Sequence, residues 1–98
     1  MSPVLVTIQY EVEPAKREAC ITHLREMRDH AVRELQLEYQ VYQDSEHPGQ
    51  FIEVFSCPDL TAADNLDERQ DEAFRGLVAT LDRYTDLAEA RFSVFKSI

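Results

Sequence analysis

The chain has 98 residues, of which 44% are hydrophobic and 30% are charged. These proportions are typical of a globular protein, and the length predicts a single domain over residues 1–98. Nineteen acidic against ten basic side chains give a formal net charge of −9. Because such a charge repels a phosphate backbone, we expect no nucleic-acid partner.

The distribution of apolar and basic residues along the chain does not suggest a membrane or secreted protein. No apolar run approaches the roughly 20 residues that span a bilayer, and no basic-then-apolar leader is visible. We therefore expect a cytoplasmic protein with no membrane contact. Cys20 and Cys57 lack the spacing of a redox pair or a metal site, so we expect neither a structural disulfide nor a bound metal.

A strand followed by a long helix opens the chain. Residues 4–12 alternate between two faces, which predicts a strand. Pro14 suits the first position of a helix, where its missing N–H costs nothing. Beyond it, apolar side chains recur at steps of three and four and form the stripe Cys20, Leu24, Met27, Ala31 and Leu35. This spacing predicts an amphipathic helix laid on a sheet.

Residues 37–57 contain two short alternating segments joined by a turn, the pattern of a β-hairpin. Pro48 is suited to the second position of a type II turn, and Gly49 to the positive φ that follows it. The hairpin is therefore expected to close through this turn.

The predicted hairpin register places Gln43 opposite Gln50. It puts Tyr39 on one face with Ile52 and Val54, because a slip by one residue would bring a carboxylate among these apolar groups. The opposite face would then carry Glu38, Gln40, Tyr42, Phe51, Glu53 and Phe55. Such a mixture of aromatic and charged side chains suits a protein partner.

A second helical region follows, broken near residues 67–71 by a charged run, and residues 90–95 alternate as a closing strand. The order β-α-β-β-α-β is the ferredoxin-like pattern. It is an α+β fold in which helices cover one face of a four-stranded antiparallel sheet. The uncovered face must meet something, and we expect a homodimer to bury it.

Residues 39–52, YQVYQDSEHPGQFI, resemble the antibiotic biosynthesis monooxygenase family in their tyrosine-led strand, acidic Pro-Gly turn and aromatic-led return strand. The resemblance implies a dimeric α+β barrel with a pocket between helices and sheet. Departures from the family include Cys57 where many members have tryptophan, and Ala73 where a histidine often precedes Phe74. Haem-degrading relatives use an asparagine on the first strand, which this chain lacks at residues 7–9, so we expect no haem chemistry.

The first functional hypothesis is a monooxygenase that needs no cofactor and acts on a small phenolic or quinol-like substrate. We predict that His23 accepts the substrate proton while Tyr39 donates a hydrogen bond to the phenolate, so activity should rise with pH near ~6.5. The predicted substrate-binding residues are Tyr10, Cys57, Asn65 and Tyr84.

The alternative is a homodimer of the same fold that binds a small molecule, or serves a structural role, without turnover. The lack of the family's tryptophan, replaced here by Cys57, and of its histidine before Phe74 favours this alternative. Tyrosines on half-buried strands also commonly pack with the hydroxyl at the rim. His23 and His30 equally suit a solvated helix boundary. Metal or haem binding is disfavoured because the three histidines are scattered. A filled core between helices and sheet would rule out the monooxygenase.

Overall fold

A computed structural model describes residues 3–98 as one four-stranded antiparallel sheet with helices on one face. The strands are β1 (Val4–Glu11), β2 (Glu38–Gln43), β3 (Gln50–Cys57) and β4 (Arg91–Lys96). They lie in the spatial order β2-β3-β1-β4, and every pairing is antiparallel. The predicted ferredoxin-like α+β fold is confirmed.

The helices follow the predicted pattern closely. A single 3₁₀ turn at Pro14–Lys16 leads into α1 (Arg17–Arg33). The second region is broken where the charged run indicated, into α2 (Leu60–Asp64), a 3₁₀ turn at Leu66–Arg69 and α3 (Glu72–Leu81). The predicted stripe of α1 faces the core, since its first four members are buried and the fifth is half-buried.

A side-chain hydrogen bond links α1 to the start of α3. His30 Nε2 lies 2.9 Å from both carboxylate oxygens of Asp71, and the same carboxylate accepts the backbone N–H of Phe74 at 2.8 Å. These contacts, with the Phe74 N–H first, lower the pKa of Asp71. Asp71 therefore both caps α3 and fixes its position against α1.

The predicted hairpin register was wrong by one residue. Gln43 lies opposite Phe51 rather than Gln50. Phe51, Glu53 and Phe55 consequently face the helices, and each is at most 4% exposed. Burying two aromatic rings is worth several kcal/mol, about 1.5–3 each, which outweighs the cost of a buried carboxyl that has a hydrogen-bond donor.

Every position along β3 therefore changes sides relative to the prediction. Ile52 and Val54 were expected beside Tyr39 but lie half-buried on the other side of the sheet. We call that side the open face. It carries Leu5, Thr7, Gln9, Glu38, Gln40, Tyr42, Ile52, Val54, Ser56, Ser93 and Phe95. The predicted partner-binding surface thus loses both phenylalanines of the hairpin, Phe51 and Phe55, to the core.

The turn between β2 and β3 is not of type II, because no glycine among the described residues has a positive φ. Instead, Asp44 Oδ1 accepts the backbone N–H groups of Glu46 at 2.8 Å and His47 at 3.0 Å. The N–H of Gln50 then donates to the carbonyl of His47 at 2.8 Å. The acidic side chain, rather than a left-handed glycine, organises this turn.

Gly49 is required for a close approach rather than for its φ. Its carbonyl accepts the N–H of Val12 at 2.8 Å. A Cβ added at Gly49 would lie 2.7 Å from the Arg17 guanidinium and 3.2 Å from the Val12 carbonyl oxygen. The absence of a side chain thus lets the hairpin turn pack against the end of β1.

The two glycines are expected to respond oppositely to alanine. Gly76→Ala should stabilise the fold by about 0.5–1 kcal/mol, because Gly76 lies inside α3 and an added Cβ meets nothing within 4 Å. Gly49→Ala should cost about 1 kcal/mol, because Arg17 and the Val12 backbone must shift. Thermal unfolding followed by circular dichroism measures both. A stabilised Gly49→Ala would show that this close approach is not required.

Candidate functional site

A cavity of about 470 Å³ lies between the helices and the helix-covered face of the sheet. Its volume is in the range that binds small molecules. Most of its wall is apolar, formed by Val6, Ile8, Met27, Phe55, Ala63, Leu66, Phe74, Val78, Leu81, Leu87 and Phe92. The core between helices and sheet is therefore not filled, and the monooxygenase hypothesis is not ruled out on that ground.

Four polar residues complete the cavity wall. Glu53 contributes from the sheet and is 3% exposed. Asp64 and Asp67, which are exposed, and the half-buried Gln70 contribute from α2 and the turn that follows it. A buried carboxyl at the inner wall and polar groups at the mouth give the cavity two chemically different ends.

Glu53 is held by a tyrosine on the neighbouring strand. The fully buried Tyr39 donates its hydroxyl to Glu53 Oε1 at 2.5 Å. Burial raises the pKa of the Glu53 carboxyl, and the Tyr39 hydrogen bond, Tyr10 and His23 only partly oppose this rise. Burial and the nearby carboxylate also raise the pKa of Tyr39, so its phenol stays protonated and remains a donor.

Two further groups lie close to the same carboxyl. The Tyr10 hydroxyl is buried without a hydrogen-bond partner among the described residues, yet burial and the charge of Glu53 raise the pKa of this phenol. Burial, followed by Glu53, raises the pKa of the Cys20 thiol to about 11. Both groups are therefore neutral near pH 7, which leaves Glu53 as the acid of the cluster.

His23 is buried in α1 and already uses one nitrogen. Its Nε2 lies 2.6 Å from the main-chain carbonyl of Leu77. Because a carbonyl only accepts, Nε2 carries the proton and Nδ1 is the nitrogen that can act as a base. The ring also lies 5.6 Å from that of Tyr84. Neither His23 nor Tyr39 lines the cavity; both interact with Glu53 instead, and their catalytic roles stay predictions.

The four predicted substrate-binding residues lie apart from one another and outside the cavity wall. Tyr84 borders a surface groove of about 590 Å³ at the start of α1, and Tyr10 and Cys57 border two further grooves. Asn65 is exposed at the end of α2. The groove beside Tyr84 is larger, but charged side chains of both signs line it on the surface. We therefore place the site at the cavity beside Glu53.

The sequence interpretation missed Glu53 because it avoided placing a carboxylate among apolar groups. The available signal was that Glu53 alternates with Phe51, Phe55 and Cys57 along one strand. A face with two aromatic rings and a cysteine is a strong candidate for the core, even with an acid in its centre. A rule about buried charge fails most readily at a functional site.

The chain has an α+β fold of ferredoxin-like topology, with a cavity between the sheet and the helices. No family model matches the sequence, and no curated protein matches it. The structure is similar to a crystal structure of an antibiotic biosynthesis monooxygenase, with a TM-score of 0.77, 21% identity, and coverage of 97% of this chain and 98% of that chain. This likeness agrees with the family resemblance of residues 39–52.

Two further solved structures share the fold. A conserved protein from Methanosarcina mazei Go1 superposes with a TM-score of 0.81 at 19% identity, covering 100% of this chain and 95% of that chain. A conserved protein of unknown function from Bacteroides thetaiotaomicron, described as a possible oxidoreductase, gives 0.76 at 16% identity and 97% coverage of both chains. At these identities the likeness establishes a common fold.

Within residues 3–98, no helix is long and apolar enough to cross a membrane. The same residues contain no group of three or more His, Cys, Asp or Glu side chains arranged to hold a metal ion.

Proposed function

We propose that this chain is a monooxygenase that needs no cofactor and oxidises a small aromatic substrate in the cavity beside Glu53. The observation that supports it most is the position of that carboxyl, buried at the inner wall of an otherwise apolar cavity with a raised pKa. The structural similarity to an antibiotic biosynthesis monooxygenase adds support.

Glu53 would act as the general base. A carboxylate whose pKa is raised by burial is a stronger base than one in water, and it can remove the proton of a phenol or of an acidic ring CH₂. Tyr39 and Tyr10 lie beside it, and their hydroxyls would stabilise the charge that the proton transfer redistributes. The apolar wall would exclude water from the resulting carbanion or phenolate.

The electrons for oxygen reduction would come from the substrate itself. For a ring CH₂ flanked by aromatic rings, the deprotonated substrate forms a C–O bond with O₂, and the hydroperoxide then loses water to leave a ketone. One oxygen atom ends in the product and the other in water, and the two hydrogens of the CH₂ leave in that water. The reaction therefore requires only substrate, O₂ and a base.

In this proposal His23 and Tyr39 affect catalysis through Glu53 and do not contact the substrate themselves. Tyr39 orients the carboxyl by donating to Oε1. His23, when protonated, lowers the pKa of the Glu53 carboxyl and would thereby tune its strength as a base, while its Nε2 N–H stays bonded to the Leu77 carbonyl. Tyr10 likewise acts through Glu53 in this proposal. We propose contacts with Cys57, Asn65 and Tyr84 only for larger substrates that extend beyond the cavity.

The open face supports a homodimer. Leu5, Tyr42 and Phe95 on this face are 40%, 55% and 53% exposed. Thr7 lies between them with a buried hydroxyl that has no partner among the described residues. Sedimentation velocity at micromolar concentration tests the dimer, and a monomeric protein would remove this part of the proposal.

The activity is tested by oxygen uptake with a panel of quinols and anthrones and no added cofactor. The proposal expects uptake with product ketone and no hydrogen peroxide in stoichiometric amount. Heat-denatured protein corrects for spontaneous oxidation of the same compounds. Tight binding of panel members without any uptake above that background would instead favour the non-catalytic alternative.

A further inference from the structure

We propose that the cavity selects aromatic ligands bearing an amine at the end that faces the mouth, and rejects those bearing a carboxylate there. This inference rests on the proposed function only in using the same cavity. It concerns which ligands bind, whether or not they are oxidised.

Every ionisable side chain on the cavity wall is an acid. These are Glu53, Asp64 and Asp67, and none of the lining residues that the structure describes is a lysine, arginine or histidine. The two arginines in the adjoining segment are not lining residues: Arg69 donates to the Leu35 carbonyl at 2.7 Å, and Arg75 donates to the main-chain carbonyl of Asp67 at 3.1 Å. The lining residues thus supply no cation with which to bind an anionic ligand.

The acids are divided between the two ends of the cavity. Glu53 is buried at the inner wall, whereas Asp64 and Asp67 are exposed. Neither exposed carboxylate forms a salt bridge within residues 3–98. Phe92, which is 66% exposed, also lines the cavity and offers an aromatic ring to an ammonium group. A ligand with its phenol at Glu53 would therefore place an outer amine in an environment that favours positive charge.

The size of the preference follows from the interaction of the ligand's outer charged group with Asp64 and with Asp67. Each unit charge a few ångströms from an exposed carboxylate changes affinity by about threefold at low ionic strength. Two such carboxylates favour an amine and oppose a carboxylate, so the two ligands should differ by at least about tenfold in affinity. The preference should shrink with added salt, because both acids lie in solvent.

Three naphthols that differ only in one substituent provide the test: 6-(aminomethyl)-2-naphthol, 6-(hydroxymethyl)-2-naphthol and 6-hydroxynaphthalene-2-acetic acid. Their fluorescence is readable because the chain contains no tryptophan. The full chain should bind the amine at least about tenfold more tightly than the acid, with the alcohol between them. The double variant Asp64→Asn, Asp67→Asn should reduce this ratio by several-fold.

A matched control separates local from overall charge. The variant Glu18→Gln, Glu46→Gln removes the same two charges from exposed residues that neither line the cavity nor adjoin a lining residue, and it should leave the ratio within about twofold of the native value. Equal or tighter binding of the acid, an equal effect of both double variants, or no binding of any naphthol would overturn the inference. Oxygen uptake is measured separately, so amine selectivity without uptake would contradict only the proposed function.

Discussion

Replacing Glu53 with glutamine is expected to lower oxygen uptake by about a hundredfold or more, the usual range for loss of a general base. Glutamine keeps the shape of the side chain and an oxygen that can accept the Tyr39 hydroxyl, but it cannot take a proton. In the native protein the rate should rise with pH as Glu53 ionises, through a pKa raised above that of an exposed glutamate. The residual rate of Glu53→Gln should lack this rise.

The same substitution should leave the protein folded, which distinguishes loss of chemistry from loss of structure. Because burial raises the pKa of Glu53, the folded state holds this proton more tightly than the unfolded state. Its contribution to stability is present below the unfolded pKa, near ~4.3, and is lost as pH rises through the folded pKa.

Denaturant unfolding at pH 5 and pH 9 tests that sign. The difference in unfolding free energy between Glu53→Gln and the native protein should shift in favour of the variant at the higher pH. A native protein that gains stability relative to the variant on raising the pH would show that Glu53 is stabilised as a carboxylate. Unchanged oxygen uptake in the variant would remove Glu53 as the base.

Replacing Phe55 with aspartate is expected to unfold the protein. Phe55 is 3% exposed and its ring centroid lies 4.5 Å from that of Tyr39, so the substitution opens the core and buries an unpaired carboxylate beside Glu53. Together these effects should cost more than about 4 kcal/mol, a large share of the stability of a domain of this size.

Phe95→Asp is the matched control for the sheet register. Phe95 lies on the open face and is 53% exposed, so aspartate should change the stability of the isolated subunit by no more than about 0.5 kcal/mol. It should nevertheless weaken a dimer formed through that face, as sedimentation would show. A folded Phe55→Asp protein with native circular dichroism would contradict the observed register.

Much of the fold could be predicted because its signals are local. The spacing of Cys20, Leu24, Met27 and Ala31 specifies a helix and its buried side at once, and all four are buried. The break in the second helical region was visible as a charged run. Both predictions depend only on neighbouring residues, whose periodicity carries the information.

The hairpin register could not be obtained in this way, because it depends on which face the helices cover. Ile52 and Val54 on one face are nearly as apolar as Phe51 and Phe55 on the other. The register was predicted wrongly because Glu53 was expected to stay out of the core. The hydrogen bond from Tyr39 that allows Glu53 to be buried forms only once β2 and β3 are paired. The candidate site was lost with the register, because the buried acid and its donor come from different strands.

The side of the sheet to which an aromatic ligand binds decides whether the cavity beside Glu53 is the site. Intermolecular nuclear Overhauser effects between 2-naphthol and methyl groups of the protein distinguish the two sides of the sheet. We expect contacts from the naphthol ring to the methyl groups of Ile8 and Val78, which line the cavity beside Glu53. Contacts confined to Leu5 and Val54 on the open face would place the ligand on the wrong side of the sheet and contradict this expectation.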